Sequence, residues 1–120
     1  VEGRTGLERD YKKGVELFEQ AIDEGSDSAL VSLGNMYDHG AGGLEKNPRK
    51  AVALYLRAAK LGNADGMKDM GLAYALGMDG PRNDQIAADW FAKAVAAGSE
   101  DSYVLLGLEL RDLKGAGSSN

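Results

Sequence analysis

Three glycines, Gly25, Gly62 and Gly98, each close an apolar segment and stand 37 and 36 residues apart. Other residue types keep step with them. Eleven positions before each glycine is a small residue: Gly14, Ala51, Ala87. Seven before is an aromatic ring, Phe18, Tyr55 or Phe91, and four before is Ala21, Ala58 or Ala94. Nine positions after stands a second glycine, Gly34, Gly71 or Gly107, preceded by Leu33, Met70 or Leu106. Tyr37 and Tyr74 follow twelve positions after the first two glycines, where the third copy has Leu110. Gly40 and Gly77 follow at fifteen, where it has Leu113. A fixed period of this length is the signature of a stacked repeat, in which no single unit buries its own apolar stripe.

Each copy reads as two helices. Apolar positions such as Ala29, Leu30, Leu33 and Tyr37 follow helical spacing and predict a helix A over 27–39, 64–76 and 100–113. A helix B is predicted over 11–24, 48–61 and 84–97, capped by Asp10, Asn47 and Asn83, with Pro48 at a first helical position. Gly25, Gly62 and Gly98 fit the left-handed residue that ends a helix. The mid-helix glycines cost about 1 kcal/mol each relative to alanine, so their recurrence calls for a packing reason. The expectation is close approach of a neighbouring backbone opposite Ala58 and Ala94, with Tyr55 and Phe91 filling the gap alongside.

These positions form the pattern Ala-x3-Leu-Gly-x2-Tyr-x2-Gly, a loop, then Asx-x3-Ala-x3-Tyr-x2-Ala-x3-Gly. It resembles the Sel-like repeat (SLR, suppressor/enhancer of Lin), a relative of the tetratricopeptide repeat. The best copy carries Ala29, Leu33, Gly34, Tyr37, Gly40, Gly42, Ala51, Tyr55, Ala58 and Gly62. The second keeps Gly71, Tyr74, Gly77, Ala87, Trp90, Phe91, Ala94 and Gly98, but has Gly66 where alanine is usual and Ile86 where lysine is usual. Its hinge is one residue shorter, with Gly43 as the insertion in the first. The resemblance implies an all-α, right-handed α/α superhelix, a solenoid of stacked antiparallel helix pairs with about six helices. The expected organisation is a repeat domain over 1–114: a half repeat at 3–25, full repeats at 26–62 and 63–98, and a half repeat at 99–114. A flexible tail of linker composition is expected at 115–120. "GRTGLERD" from Gly3 aligns with "GAGGLEKN" from Gly40, so the chain is expected to open inside a hinge and reads as a piece of something longer.

Composition narrows the function. The 120 residues are 43% hydrophobic, enough for a core, and the net charge is −5. Phosphate contact needs a basic face, which this chain lacks, so nucleic acid is not an expected partner. No apolar run approaches the roughly eighteen residues of a membrane span. Absence of cysteine removes disulfides, Cys-ligated zinc and thiol catalysis, and argues against the disulfide-stapled secreted branch of the resembled family. Nothing marks the compartment further; a soluble, cytoplasmic chain is favoured. His39 has no nucleophile or second histidine at a matching spacing and reads as a hinge residue at a helix C-terminus. The Asp79–Asp84 stretch lacks calcium-loop spacing, and Gly40–Gly43 lacks the Lys-Ser/Thr of a phosphate loop. Trp90 shares the column of Leu17 and Leu54, which favours packing over ligand stacking. No catalytic residue, metal or cofactor is expected.

What remains is a surface. The resemblance implies a concave face built from helix A, and a protein–protein scaffold or adaptor that binds a peptide or helix there. The candidate contacts are Val31, Asn35, Asp38, Lys68, Leu72, Val104, Leu108 and Arg111, with Ser28, Asp65, Ala75 and Asp101 completing the rows. Val31 and Asp69 stand where a carboxylate-gripping tetratricopeptide face would carry lysine and asparagine, so no such clamp is expected. Two other readings remain: an accessory domain of an enzyme whose catalytic part lies outside this chain, and a homo-oligomer formed through the open ends. The apolar last helix, with Leu106, Leu108, Leu110 and Leu113, motivates the second.

Overall fold

The computed structural model describes the backbone of residues 2–118 and the side chains of residues 10–115. Among these residues there are six helices and no strand: α1 (Glu2–Asp23), α2 (Asp27–His39), α3 (Pro48–Lys60), α4 (Ala64–Leu76), α5 (Asp84–Ala96) and α6 (Asp101–Ser118).

The turns from helix B to helix A are nearly identical and rest on two capping devices. Gly25, Gly62 and Gly98 adopt φ of +94°, +90° and +104°, a region that a side chain would disfavour. The next residue's amide then donates back to the alanine four positions before the glycine: Ser26 to Ala21 (2.9 Å), Asn63 to Ala58 (3.1 Å), Ser99 to Ala94 (2.9 Å). That residue also opens the following helix. Ser26 Oγ accepts from the Ala29 amide at 3.1 Å and Asn63 Oδ1 from the Gly66 amide at 2.9 Å. In the third turn the Ser99 and Ser102 hydroxyls pair at 2.8 Å.

The A-to-B hinges are longer. Asn47 and Asn83 cap α3 and α5 through the amides of Lys50 (3.1 Å) and Ile86 (3.0 Å). Their own amides donate to the carbonyls of Tyr37 (2.8 Å) and Tyr74 (2.9 Å), which ties each hinge to the helix before it. Asp10 does not play this part. The expected hinge over 3–10 is helical, and α1 runs unbroken from Glu2. Two conditions that break the helix at Asn47 are missing there: Tyr11 stands in place of Pro48, and no segment of this chain takes the place of Tyr37 to accept the capping residue's amide. At the other end the expected linker beyond Lys114 is helical through Ser118, and 119–120 lie outside the described residues.

Within a pair the packing differs from the expectation. The mid-helix glycines make room for rings rather than for backbone. A β-carbon at Gly34 would fall 2.6 Å from Tyr55 Cε1, and one at Gly71 would fall 2.5 Å from Phe91 Cδ1. Tyr55 and Phe91 are 2% and 1% exposed, each adding on the order of 2 kcal/mol by burial. Ala51, Ala58, Ala87 and Ala94 beside them are fully buried. Close backbone approach occurs instead at Gly66, where a β-carbon would meet Ala58 Cβ at 2.8 Å and the Ala59 amide nitrogen at 2.9 Å. Its column, Ala29, Gly66 and Ser102, is small and buried in all three copies. At Gly107 a β-carbon would meet nothing within 4 Å, because no ring covers it.

Candidate functional site

The helix A surfaces form one continuous face because side chains link them. Asn63, while capping α4, donates from Nδ2 to Asp27 Oδ2 of α2 at 2.9 Å. That bond holds the half-buried Asp27 carboxyl below its usual range. Lys68 of α4 pairs with Asp101 of α6 at 3.8 Å.

At the centre, Asn35 of α2 is exposed, and its Oδ1 accepts a 2.6 Å hydrogen bond from the hydroxyl of Tyr55 on α3. The ring that fills the Gly34 socket therefore also orients a surface carboxamide. Burial raises the Tyr55 hydroxyl's pKa, and Asp69 and Asp38 add to the shift, so the donor stays protonated. Asp69 of α4 is partly buried beside them. Burial raises its carboxyl to about 6 against the opposing pull of Lys68, and Asp65 and Asp38 push the same way. Three helices thus bring Asn35, Asp38, Tyr55 and Asp69 together.

The other candidates are spread unevenly. Val31 is buried, packed with Leu30 and Ala58 beneath Ile22 and Leu54, so it belongs to the core and not to a groove. Lys68, Asp38 and Leu72 are half-buried, while Leu108 and Arg111 are exposed and Val104 is 68% exposed. Ser28, Asp65 and Asp101 are exposed, and Ala75 is half-buried. The part of Tyr55 and the raised carboxyl of Asp69 are not expected from the sequence. A signal for the latter exists: Asp69 sits between Gly66 and Met70, both core positions, where a carboxylate cannot be fully hydrated.

Three side chains singled out in the sequence, those of His39, Arg82 and Trp90, have structural partners. His39 Nδ1 donates to the Asn35 carbonyl at 2.8 Å at the end of α2. Arg82 grips Asp84 with bonds of 2.8 and 3.3 Å. Trp90 packs against the core around Tyr55 and Met70, with Lys93 Nζ 4.7 Å from its ring centroid. Among the described residues no group of three His, Cys, Asp or Glu stands together to hold a metal. No helix of the described residues is long and apolar enough to cross a membrane.

Comparison with known proteins gives the same architecture. The family model for the Sel1 repeat matches residues 2–26, 27–63 and 64–99. The chain is similar to cysteine-rich protein B of Helicobacter pylori, with 29% identity and a TM-score of 0.73 over 79% of this chain and 71% of that one. A Sel1 repeat protein of Oxalobacter formigenes is 28% identical, with a TM-score of 0.76 over 82% of this chain and 40% of that one. A protective antigen of uropathogenic Escherichia coli with an SLR fold is 27% identical, with a TM-score of 0.69 over 86% of this chain. The chain spans only 24% of that antigen. No curated protein matches the chain significantly. Three contiguous repeat matches and three solenoid neighbours place the chain in the Sel1 repeat family, whose helical repeats mediate protein–protein interaction.

Proposed function

We propose that this chain is an adaptor module whose helix A face receives a basic, partly apolar segment of a partner protein, as an extended peptide or a helix. The observation that carries the reading is the cluster of Asn35, Asp38 and Asp69 around the Tyr55 hydroxyl. Asp69 is half-desolvated, and its cationic neighbour Lys68 is shared with Asp101. A lysine, arginine or N–H donor from a partner would stabilise the charged carboxylate there. Leu72 and Leu108 lie in the same column as Asn35 and offer apolar contact on either side of the charge.

Affinity capture from a native extract tests this, using the wild type beside Leu72→Glu and Asp69→Lys variants of unchanged helical content. Partners held through basic segments should be captured by the wild type and lost with both variants. Capture should also weaken as the pH falls through about 6, where Asp69 loses its charge. An unchanged set of partners with both variants would clear this face of a binding role.

A further inference from the structure

Two grooves of the molecule are written in the same columns. One runs between α3 and α5 over α4. There Trp90 of α5 packs on the cluster that includes Ala59 of α3 and Met70 of α4, Tyr74 packs on the same cluster, and Lys93 Nζ lies 4.7 Å from the indole centroid. The other runs between α1 and α3 over α2, and has Ile22, Leu33 and Tyr37 in the columns of Ala59, Met70 and Tyr74. Leu54 stands in the column of Trp90 and Arg57 in that of Lys93, so the cation is kept and the ring is not. Ile22, larger than Ala59, takes up part of the space. A cleft of about 400 Å³ nevertheless remains over Ile22, Leu33, Tyr37 and Leu54. Its rim is charged by side: Glu19 and Asp23 of α1 are exposed on one wall, Lys50 and Arg57 of α3 on the other. None of the ion pairs among the described residues joins the two walls. Lys50 Nζ instead lies 5.3 Å from the Tyr37 ring centroid, above the floor. All of the lining falls between Glu19 and Arg57.

We propose that this cleft binds a tryptophan side chain of a partner protein, presented by an extended segment with a basic residue on one side of the ring and an acidic residue on the other. The second groove is the template: the same columns there hold an indole beneath a lysine. In the first groove the ring comes from outside, lies on Leu33 and Tyr37 and meets the guanidinium of Arg57. The volume is in the range of sites that take small organic groups. Charge sets the flanks, because Lys50 and Arg57 attract the acidic residue while Glu19 and Asp23 attract the basic one. Residues two positions either side of the tryptophan point the same way as its ring in an extended segment, so Lys-x-Trp-x-Glu is the simplest sequence that meets both walls. The cleft shares no residue with the cluster around Asp69, and neither reading depends on the other.

Titration of the 120-residue chain with acetyl-Lys-Gly-Trp-Gly-Glu-amide, followed through the methyl resonances of Ile22, Leu33 and Leu54, tests this. Those methyls should shift saturably, while the methyls of Leu72 and Leu108 on the helix A face stay in place. Replacing the peptide's tryptophan by alanine should weaken binding at least about tenfold. Leu54→Trp combined with Ile22→Ala, read at Leu33, should weaken it as much, because the pair refills the cleft with the second groove's own side chains. A second variant, Lys50→Glu with Arg57→Glu, changes only exposed residues and leaves the floor intact. It should keep the wild-type helical content and lose affinity for the same peptide. No shift at Leu33 with millimolar peptide, equal binding of the alanine peptide, or wild-type affinity in both variants would each overturn the proposal. N-acetyltryptophanamide that binds as tightly as the peptide would also overturn it, and would give the cleft to a small aromatic molecule.

Discussion

The α2–α3 and α4–α5 pairs and the two end helices are written in the same columns, yet the columns do different things. A glycine in α2 or α4 is a seat for a ring, while the matching glycine in α6 is bare. An aromatic residue in α3 or α5 is among the most buried groups of the molecule, while Phe18 in α1 is partly open. A repeat position thus has no fixed energetic worth. Its worth comes from the helix that covers it.

The difference is largest at the rings. Phe91→Ala should cost about 3–5 kcal/mol in urea unfolding, since it empties a closed socket. Phe18→Ala, measured at concentrations where the chain is monomeric, should cost about 1 kcal/mol. Similar losses at the two sites would break the comparison. At the glycines the sign should reverse. Gly71→Ala forces the Phe91 ring aside and should destabilise by about 1–3 kcal/mol, whereas Gly107→Ala should stabilise by about 0.5–1 kcal/mol through helix propensity alone.

A smaller effect sharpens the account of the paired region. The Asp69 carboxyl titrates near 6 in the fold against its usual 3.8. The folded chain holds this proton more tightly than the unfolded one, so the associated stability is present below about pH 4 and lost as the pH rises through 6. Asp69→Asn should therefore raise stability at pH 7 by about 1 kcal/mol, a figure discounted for the carboxylate's partial exposure. It should also flatten the melting temperature between pH 4 and 7. The smallest effect expected is that of Tyr55→Phe, about 0.5 kcal/mol, since the Asn35 oxygen it frees is open to water. Its larger consequence should appear in partner capture, because Asn35 would lose its fixed orientation.

The bounds of α2 and α4 and the starts of α3 and α5 are legible in the sequence, because capping is local: Asn47-Pro48, Asn83 and the closing glycines each act within one turn. The start of α1 is not, because Asn47 and Asp10 look alike until the carbonyl of Tyr37 is seen to tie down only the former. The reason for Gly34 and Gly71 is half legible. Spacing shows that something packs on them, but only the pairing of helices shows that it is a ring. Val31 illustrates the limit for the site. Its spacing matches the exposed Val104, and its burial follows from α1 and α3 lying over α2, a fact of three-dimensional order. The hydrogen bond from Tyr55 to Asn35 joins residues on different helices and leaves no trace in either helix's own period.

The residue shared by two helices at each tight turn has a consequence for how the molecule comes apart. Asn63 holds the last turn of α3 with its backbone and the first turn of α4 with its side chain, and Ser26 does the same between α1 and α2. Fraying on one side of such a residue removes the hydrogen-bond geometry on the other. Asn47 and Asn83 do the same across the hinges, so melting should travel as a front through turns and hinges alike, and hydrogen exchange should sort the amides from the end helices inward rather than by repeat.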